Sequence, residues 1–351
     1  MRNFRLAERR RAIARGLDFL YRVACDAQSF ELYGHDLLFC FHGLSHTSVD
    51  EELRASARKM GRERARYWRH NHGSVPRDVA ANGVVHLVFG SYAADRLGVR
   101  DPALKPRIRR AAARFTAEDY YCFNPTIEAP PDDVPAECDC GAENLRGLRR
   151  CRWCRKHLTM LGRYGAWIDA LIRTYIGERY GVQLGAPFRE AIKWLPAMRP
   201  YPVIENGADD TDFYWAVYAV THIVYTLNDY SAYRLSPRWL PDEIDFLKAN
   251  LDVAIRDEDP EMMGEILETL KSFGLGVNHS LMRRGVEFIL SQQNDDGSWG
   301  EVETEDIYHR YHSTYKAIDG LRDIAWRGEK ICFPKLKPML REWGRPSGLE
   351  R

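Results

Sequence analysis

Four of the eight cysteines fall in two close pairs, Cys138-x-Cys140 and Cys151-x-x-Cys154, with ten residues between the pairs. Thiolates are soft ligands, and two such pairs offer four sulfurs to a tetrahedral Zn2+ at about 2.3 Å each. The connecting segment, GAENLRGLRR, is polar and holds two glycines, as a knuckle needs. Four thiolates leave no coordination position open for chemistry. The expected role is therefore a structural zinc, with iron in the same cage as the alternative. Arg146, Arg149, Arg150, Arg152 and Arg155 lie in and around the pairs. They allow a second reading, a knuckle that meets an anion or nucleic acid.

A second set of candidates sits in apolar helical patterns: His35 (YGHDLL), His86 (VVHLVF), His222 (VTHIVY) and His312 (RYHSTY). Neutral imidazole binds Zn2+ or Fe2+, and an incomplete ligand set leaves room for water or substrate. If His86, His222 and His312 lie at similar depths on neighbouring helices, they converge on one cavity metal, Zn2+ or Fe2+. Asp169 holds a place comparable to His86. The plain alternative is that each imidazole packs on the aromatic three residues later: Phe89, Tyr225 or Tyr315. Asp209, Asp210 and Asp212 open another helix, where they either cap it or bind a rim metal. Asp212 and His222 are ten residues apart, about 15 Å along a helix, so one ion cannot take both. Asp229 and Asp319 follow His222 and His312 by two turns and form a second polar layer. Tyr214, Trp215, Tyr218, Tyr225 and Tyr230 crowd one stretch, where they pack or stabilise a cationic intermediate. Asp210, Asp212 and Tyr225 are the candidate catalytic residues.

These residues need helices to position them. Pro, Gly and Asp punctuation separates long amphipathic patterns, and period-2 strand patterns are nearly absent. Polar, outer helices are expected near 6–24, 49–69, 103–118, 187–195, 241–255 and 280–293. Apolar, inner helices are expected near 32–45, 77–97, 157–180, 211–234, 260–273 and 306–326. Two copies of one pattern bracket the chain. Gly16-Leu17-Asp18-Phe19-Leu20 leads to Ser29-Phe30, and Gly285-Val286-Glu287-Phe288-Ile289 leads to Ser298-Trp299 at the same spacing. Six helix pairs closing on themselves give an all-α (α/α)6 toroid over 1–351. The Pro-rich, acidic run 128–137 marks 123–155 as a zinc-binding insertion.

The run QQNDDGSWGE (292–301) resembles the Gln–Trp signature of the terpenoid cyclase and protein prenyltransferase superfamily. In that signature a Gln and an aromatic tie an outer helix to the following loop. Tyr311-His312-Ser313-Thr314-Tyr315 is similar to the Tyr-His-Thr-x-Tyr segment of prenyltransferase β subunits, whose His binds zinc. Asp210-Thr211-Asp212 looks like that family's Asp-x-Cys zinc pair, with Asp in place of Cys. The resemblance implies a toroid, a rim metal on Asp210, Asp212 and His312, and an isoprenoid-like or other apolar substrate. Two family motifs are altered. Gly207-Ala208-Asp209-Asp210 has Gly where class II cyclases begin Asp-x-Asp-Asp. Asp209-Asp210-Thr211-Asp212-Phe213 ends in Phe where class I enzymes place a metal-binding Asp.

Composition narrows the classes. The 351 residues are 45% hydrophobic and 29% charged, a globular balance, with a net charge of +1. Such a balance supplies no global field for nucleic acid. No apolar stretch is long enough to span a membrane, and the Arg-rich start lacks the features of a secretory signal. The expected compartment is the cytoplasm. The primary reading is a metal-dependent cyclase, transferase or oxygenase acting on a hydrophobic small molecule in natural-product biosynthesis. One alternative is a non-catalytic binding scaffold with a structural zinc. The other is a metal-free, acid-catalysed cyclase using Asp209 or Asp210, the acid's pKa raised by burial.

Overall fold

The computed structural model describes residues 4–136, 138, 140, 142, 144–204, 211–304 and 306–344. Among them there is no strand, only four isolated bridges. The chain divides into two compact units, Met1–Gly73 with Phe89–Asp101 and Leu227–Arg351, and Ser74–Val88 with Pro102–Thr226.

The first unit holds α1 (Leu6–Cys25), α2 (Ala27–Thr47), α3 (Glu51–Asn71) and the end of α4 (Ala81–Arg96). The second unit holds α5 (Leu104–Ala112), α6 (Ala117–Tyr121), α7 (Gly162–Tyr180), α8 (Phe188–Ile192), α9 (Leu195–Met198) and most of α10 (Thr211–Asn228). The chain then returns to the first unit with α11 (Pro241–Arg256), α12 (Pro260–Ser272), α13 (Ser280–Ser291), α14 (Ile307–Leu321) and α15 (Lys337–Trp343).

In the first unit α2, α12 and α14 form an inner row. Contacts between them advance in step along the chain. Glu261 meets His312 and Glu265 meets Lys316. Tyr311 meets Asp36, and the Tyr315 hydroxyl lies against Gly43. The three helices therefore run parallel, as expected of the inner set. Against this row pack α1, α3, α11 and α13, the helices expected outside. Their apolar residues recur at helical spacing: Ile13, Leu17, Leu20 and Ala24 of α1 are all buried. Aspartates start the row: Asp26 accepts from the Ser29 N–H of α2, Asp259 from the Met262 N–H of α12 and Asp306 from the Tyr308 N–H of α14.

Two glycines bring α12 and α14 together. A Cβ at Gly264 would stand 2.2 Å from the Lys316 carbonyl oxygen, and one at Gly320 would stand 3.0 Å from the Gly264 Cα. Only hydrogen at both positions permits that approach.

The Gln–Trp segment ties three helices. Gln293 Nε2 donates to the Ala12 carbonyl of α1 at 2.8 Å and to Gly297 at 3.0 Å. Trp299 is fully buried, and its Nε1 donates to the Ile289 carbonyl of α13 at 2.7 Å. Its backbone N–H donates to Thr314 of α14 at 2.9 Å. Its ring fills the space over Gly16. The expected tie between an outer helix and the next loop is present, and it extends to the first helix of the chain.

In the second unit Trp167 Nε1 donates to the Ala191 carbonyl at 2.7 Å, fastening α8 to α7. Thr116 and Asp119 cap α6 reciprocally. Several elements end earlier than the sequence pattern suggests. The 211–234 pattern stops as a helix at Asn228, because Asp229, Tyr230 and Ser231 take positive φ. The 187–195 pattern is two short helices with Pro196 opening the second. The 103–118 pattern breaks at Ala112, and α15 has no counterpart among the expected elements.

Candidate functional site

The cysteine cluster lies in the segment between α6 and α7, where no helix forms among the described residues. Backbone bonds fold the second pair into a knuckle. The Arg155 N–H donates to the Cys151 carbonyl at 3.1 Å, and the Cys151 N–H to Lys156 at 2.8 Å. Arg155 takes φ 65°, which turns the chain back on itself. The Trp153 N–H points at the Cys151 sulfur, 3.4 Å away. Asn144 joins the halves: its side-chain oxygen accepts from the Arg152 N–H at 2.9 Å.

The four sulfurs lie within 4.8 Å of one another, with Cys138–Cys154 and Cys138–Cys140 at 3.5 Å and Cys140–Cys151 at 3.6 Å. Four sulfurs at tetrahedral corners about 2.3 Å from zinc stand roughly 3.8 Å apart, so the cage fits. Its electrostatics also fit. Burial would raise the Cys151 thiol, but the Cys154 and Trp153 N–H groups and the Cys140 and Cys138 thiols bring it down to about 6. The Cys140 N–H favours a Cys138 thiolate, but desolvation and the neighbouring sulfurs push that thiol up to about 12. Adjacent thiols resist losing all their protons together, and a divalent cation removes that resistance. The chain thus has a four-cysteine site able to bind a metal ion such as zinc. Among the described residues it is the one group of three or more His, Cys, Asp or Glu side chains close enough for a single ion.

The sequence candidates fall as follows. Asp209 and Asp210 lie outside the described residues. Asp212 is exposed at the start of α10, its carboxylate beside Gly162. Tyr225 is fully buried and meets the His222 ring edge-on at 5.5 Å. His222 is half-buried, and its Nδ1 donates to the Tyr218 carbonyl at 2.7 Å. His86 is half-buried on α4. Asp169 pairs with Arg173 one turn later at 3.2 Å.

His312 belongs to a constellation that the sequence reading did not assemble. Its Nδ1 lies 2.9 Å from Glu261 Oε1, with side chains only 15% and 17% exposed. Ser313 donates to the other Glu261 oxygen at 2.9 Å. The Tyr308 ring stacks on the imidazole, tilted 13° with centroids 5.1 Å apart. Tyr33 packs on Tyr308 and Tyr311, and the Tyr311 hydroxyl donates to Asp36 at 2.9 Å. Burial would raise the Glu261 carboxyl, but His312, Ser313 and Lys316 hold it below its ordinary value. Burial would likewise lower His312, but Glu261 and Asp36 raise it above the ordinary imidazole value.

Beneath this pair the charges continue inward. Lys316 lies 3.3 Å from Glu265 and 3.7 Å from Glu268, and all three are buried. Ser231 donates to Glu268 at 2.6 Å. Asp319 meets Arg322 at 2.5 Å, yet its Oδ2 is buried without a hydrogen bond. Burial pushes the Asp319 carboxyl up to about 6, with Arg322 opposing. Lys271 then closes the end of α14, its Nζ donating to the Asp319, Gly320 and Arg322 carbonyls.

The missed signal was in the spacing. Glu261, Glu265 and Glu268 stand at i, i+4 and i+7 on one helix, and His312, Lys316 and Asp319 match that spacing on its neighbour. Both patterns occur in helices read as inner, where charge has to be paired.

No protein family, curated protein or solved structure matches this chain.

Proposed function

We propose that the protein is an enzyme that performs acid–base chemistry on an apolar small molecule, with a structural zinc in its four-cysteine insertion. The observation that carries the reading is the His312–Glu261 pair. It is shielded but still partly exposed, aromatic rings lie beside it, and its imidazole is biased toward the protonated form. Such an imidazole can donate a proton near neutral pH and take it back, with Glu261 orienting the ring. Tyr33 and Tyr308 offer faces suited to an apolar or transiently cationic substrate. The parallel inner row and the Gln–Trp tie support the wider reading of an (α/α)6 toroid with an isoprenoid-like substrate. The zinc would fold the insertion and take no part in the reaction.

Incubating the protein with fractionated cell metabolites and following masses over time tests this. The wild type is expected to consume apolar metabolites that His312→Gln and Glu261→Gln leave untouched. Equal turnover by all three proteins overturns the assignment.

A metal-assisted version is favoured by one observation. His222 directs Nδ1–H at a backbone carbonyl, the orientation of metal-ligating imidazoles. It requires a second metal ion per chain, lost in His222→Ala and retained in Cys151→Ser.

A further inference from the structure

The knuckle carries more than a metal cage. From Asn144 to His157 the chain has five arginines, one lysine and no carboxylate. Glu128 and Asp133 engage Arg146, at 2.9 and 2.5 Å. Arg149, Arg150, Arg152, Arg155 and Lys156 are all exposed. Among them stands Trp153, 81% exposed, the most exposed large hydrophobic side chain among the described residues. Its backbone is held by the Cys151 sulfur, so the ring is presented from a fixed turn. An indole left in water gives up the burial a Trp normally gains.

We propose that this exposed knuckle, through Arg149, Arg152, Trp153 and Arg155, binds single-stranded nucleic acid. The chemistry is a stacking platform between phosphate-binding forks. A base stacks on the indole whatever its identity, and arginines on either side of Trp153 reach the flanking phosphates. The composition separates this ligand from an anionic lipid surface. Lipid attraction counts charges and is indifferent to Arg or Lys, whereas five of these six cations are Arg, whose planar fork matches phosphate. Net charge does not oppose the inference. The chain's +1 averages over 351 residues, while screening makes each phosphate respond to cations within about 10 Å.

The test is fluorescence anisotropy of zinc-loaded full chain with labelled 12-nucleotide oligo(U) and oligo(dT). Three neutralised phosphates predict roughly 20-fold weaker binding at 200 mM than at 50 mM NaCl. Trp153→Ala is expected to weaken binding roughly tenfold, and Trp153→Phe to restore most of it. Arg152→Ala/Arg155→Ala should lower the salt slope by about 1.4. Arg107→Ala/Arg110→Ala, on the exposed side of α5, should change neither quantity. No oligonucleotide binding at 50 mM NaCl overturns the proposal, as does binding that ignores Trp153→Ala. So does Trp153-dependent binding to phosphatidylcholine vesicles with 30% phosphatidylserine in place of the oligonucleotides.

Discussion

Replacing Lys316 with Met should cost far more than removing one surface charge. Lys316 is 4% exposed and lies between Glu265 and Glu268, which are 0% and 5% exposed. Methionine keeps the length of the side chain and removes only the cation. The two carboxylates then remain buried with their closest cation removed. Breaking a buried ion pair from one side costs about 3–5 kcal/mol, against about 1 kcal/mol or less for an exposed pair. For a protein of 351 residues that is a Tm drop of roughly 4–7 °C. The pH dependence follows from the proton count. With the ammonium gone, burial favours the protonated form of these carboxyls, so the folded variant binds protons more readily than the folded wild type. Its loss of stability relative to wild type should therefore shrink as pH falls from 7.5 to 5.5. Urea unfolding followed by circular dichroism at both pH values measures this directly. A triple change, Lys316→Met with Glu265→Leu and Glu268→Gln, removes the cation and both charges together. It should recover to within about 1 kcal/mol of wild type. A loss below about 1 kcal/mol in the single variant, or a loss that is the same at both pH values, would refute the reasoning.

Gly264→Ala should destabilise by roughly 1–3 kcal/mol in urea although alanine is the better helix former, because its methyl meets the rigid Lys316 backbone. Chelation or Cys151→Ser should release one metal ion per chain, seen by atomic absorption, and loosen the segment between α6 and α7 to protease while α12–α14 stay protected. The His312–Glu261 pair contributes most between the lowered Glu261 value and the raised His312 value, so its share of stability is lost as pH rises through the His312 value and again as pH falls through that of Glu261. In NMR titrations Glu261→Gln should bring the His312 midpoint down, and an unchanged midpoint would remove Glu261 as the cause.

The helices were legible because their signals are local. Asp26, Asp259 and Asp306 announce helix starts, and the apolar spacing of α1 announces its buried side. The cysteine cage was legible for the same reason, since each pair is fixed by a turn of one or two intervening residues. The Glu261–His312 pair was not, although each residue sat in an expected helix. Their partnership depends on the lateral register of α12 against α14, which the Gly264–Gly320 approach sets and no local pattern encodes. The stop at Asn228 was missed for a related reason. Asp229, Tyr230 and Ser231 fall within the expected 211–234 helix yet adopt positive φ, which tertiary packing has to hold in place.

The bond from Gln293 to Ala12 joins residues 281 positions apart. During synthesis at about 5–20 residues per second, α1 emerges roughly 15–55 s before its partner segment exists. Through that interval the faces of α1 and α2 that will meet α14 have nothing permanent to cover them, while the whole second unit is being made. A ribosome-bound chain stopped short of Trp299 should therefore be a substrate for chaperones that shield apolar surface. The last helices to appear are the ones that release it.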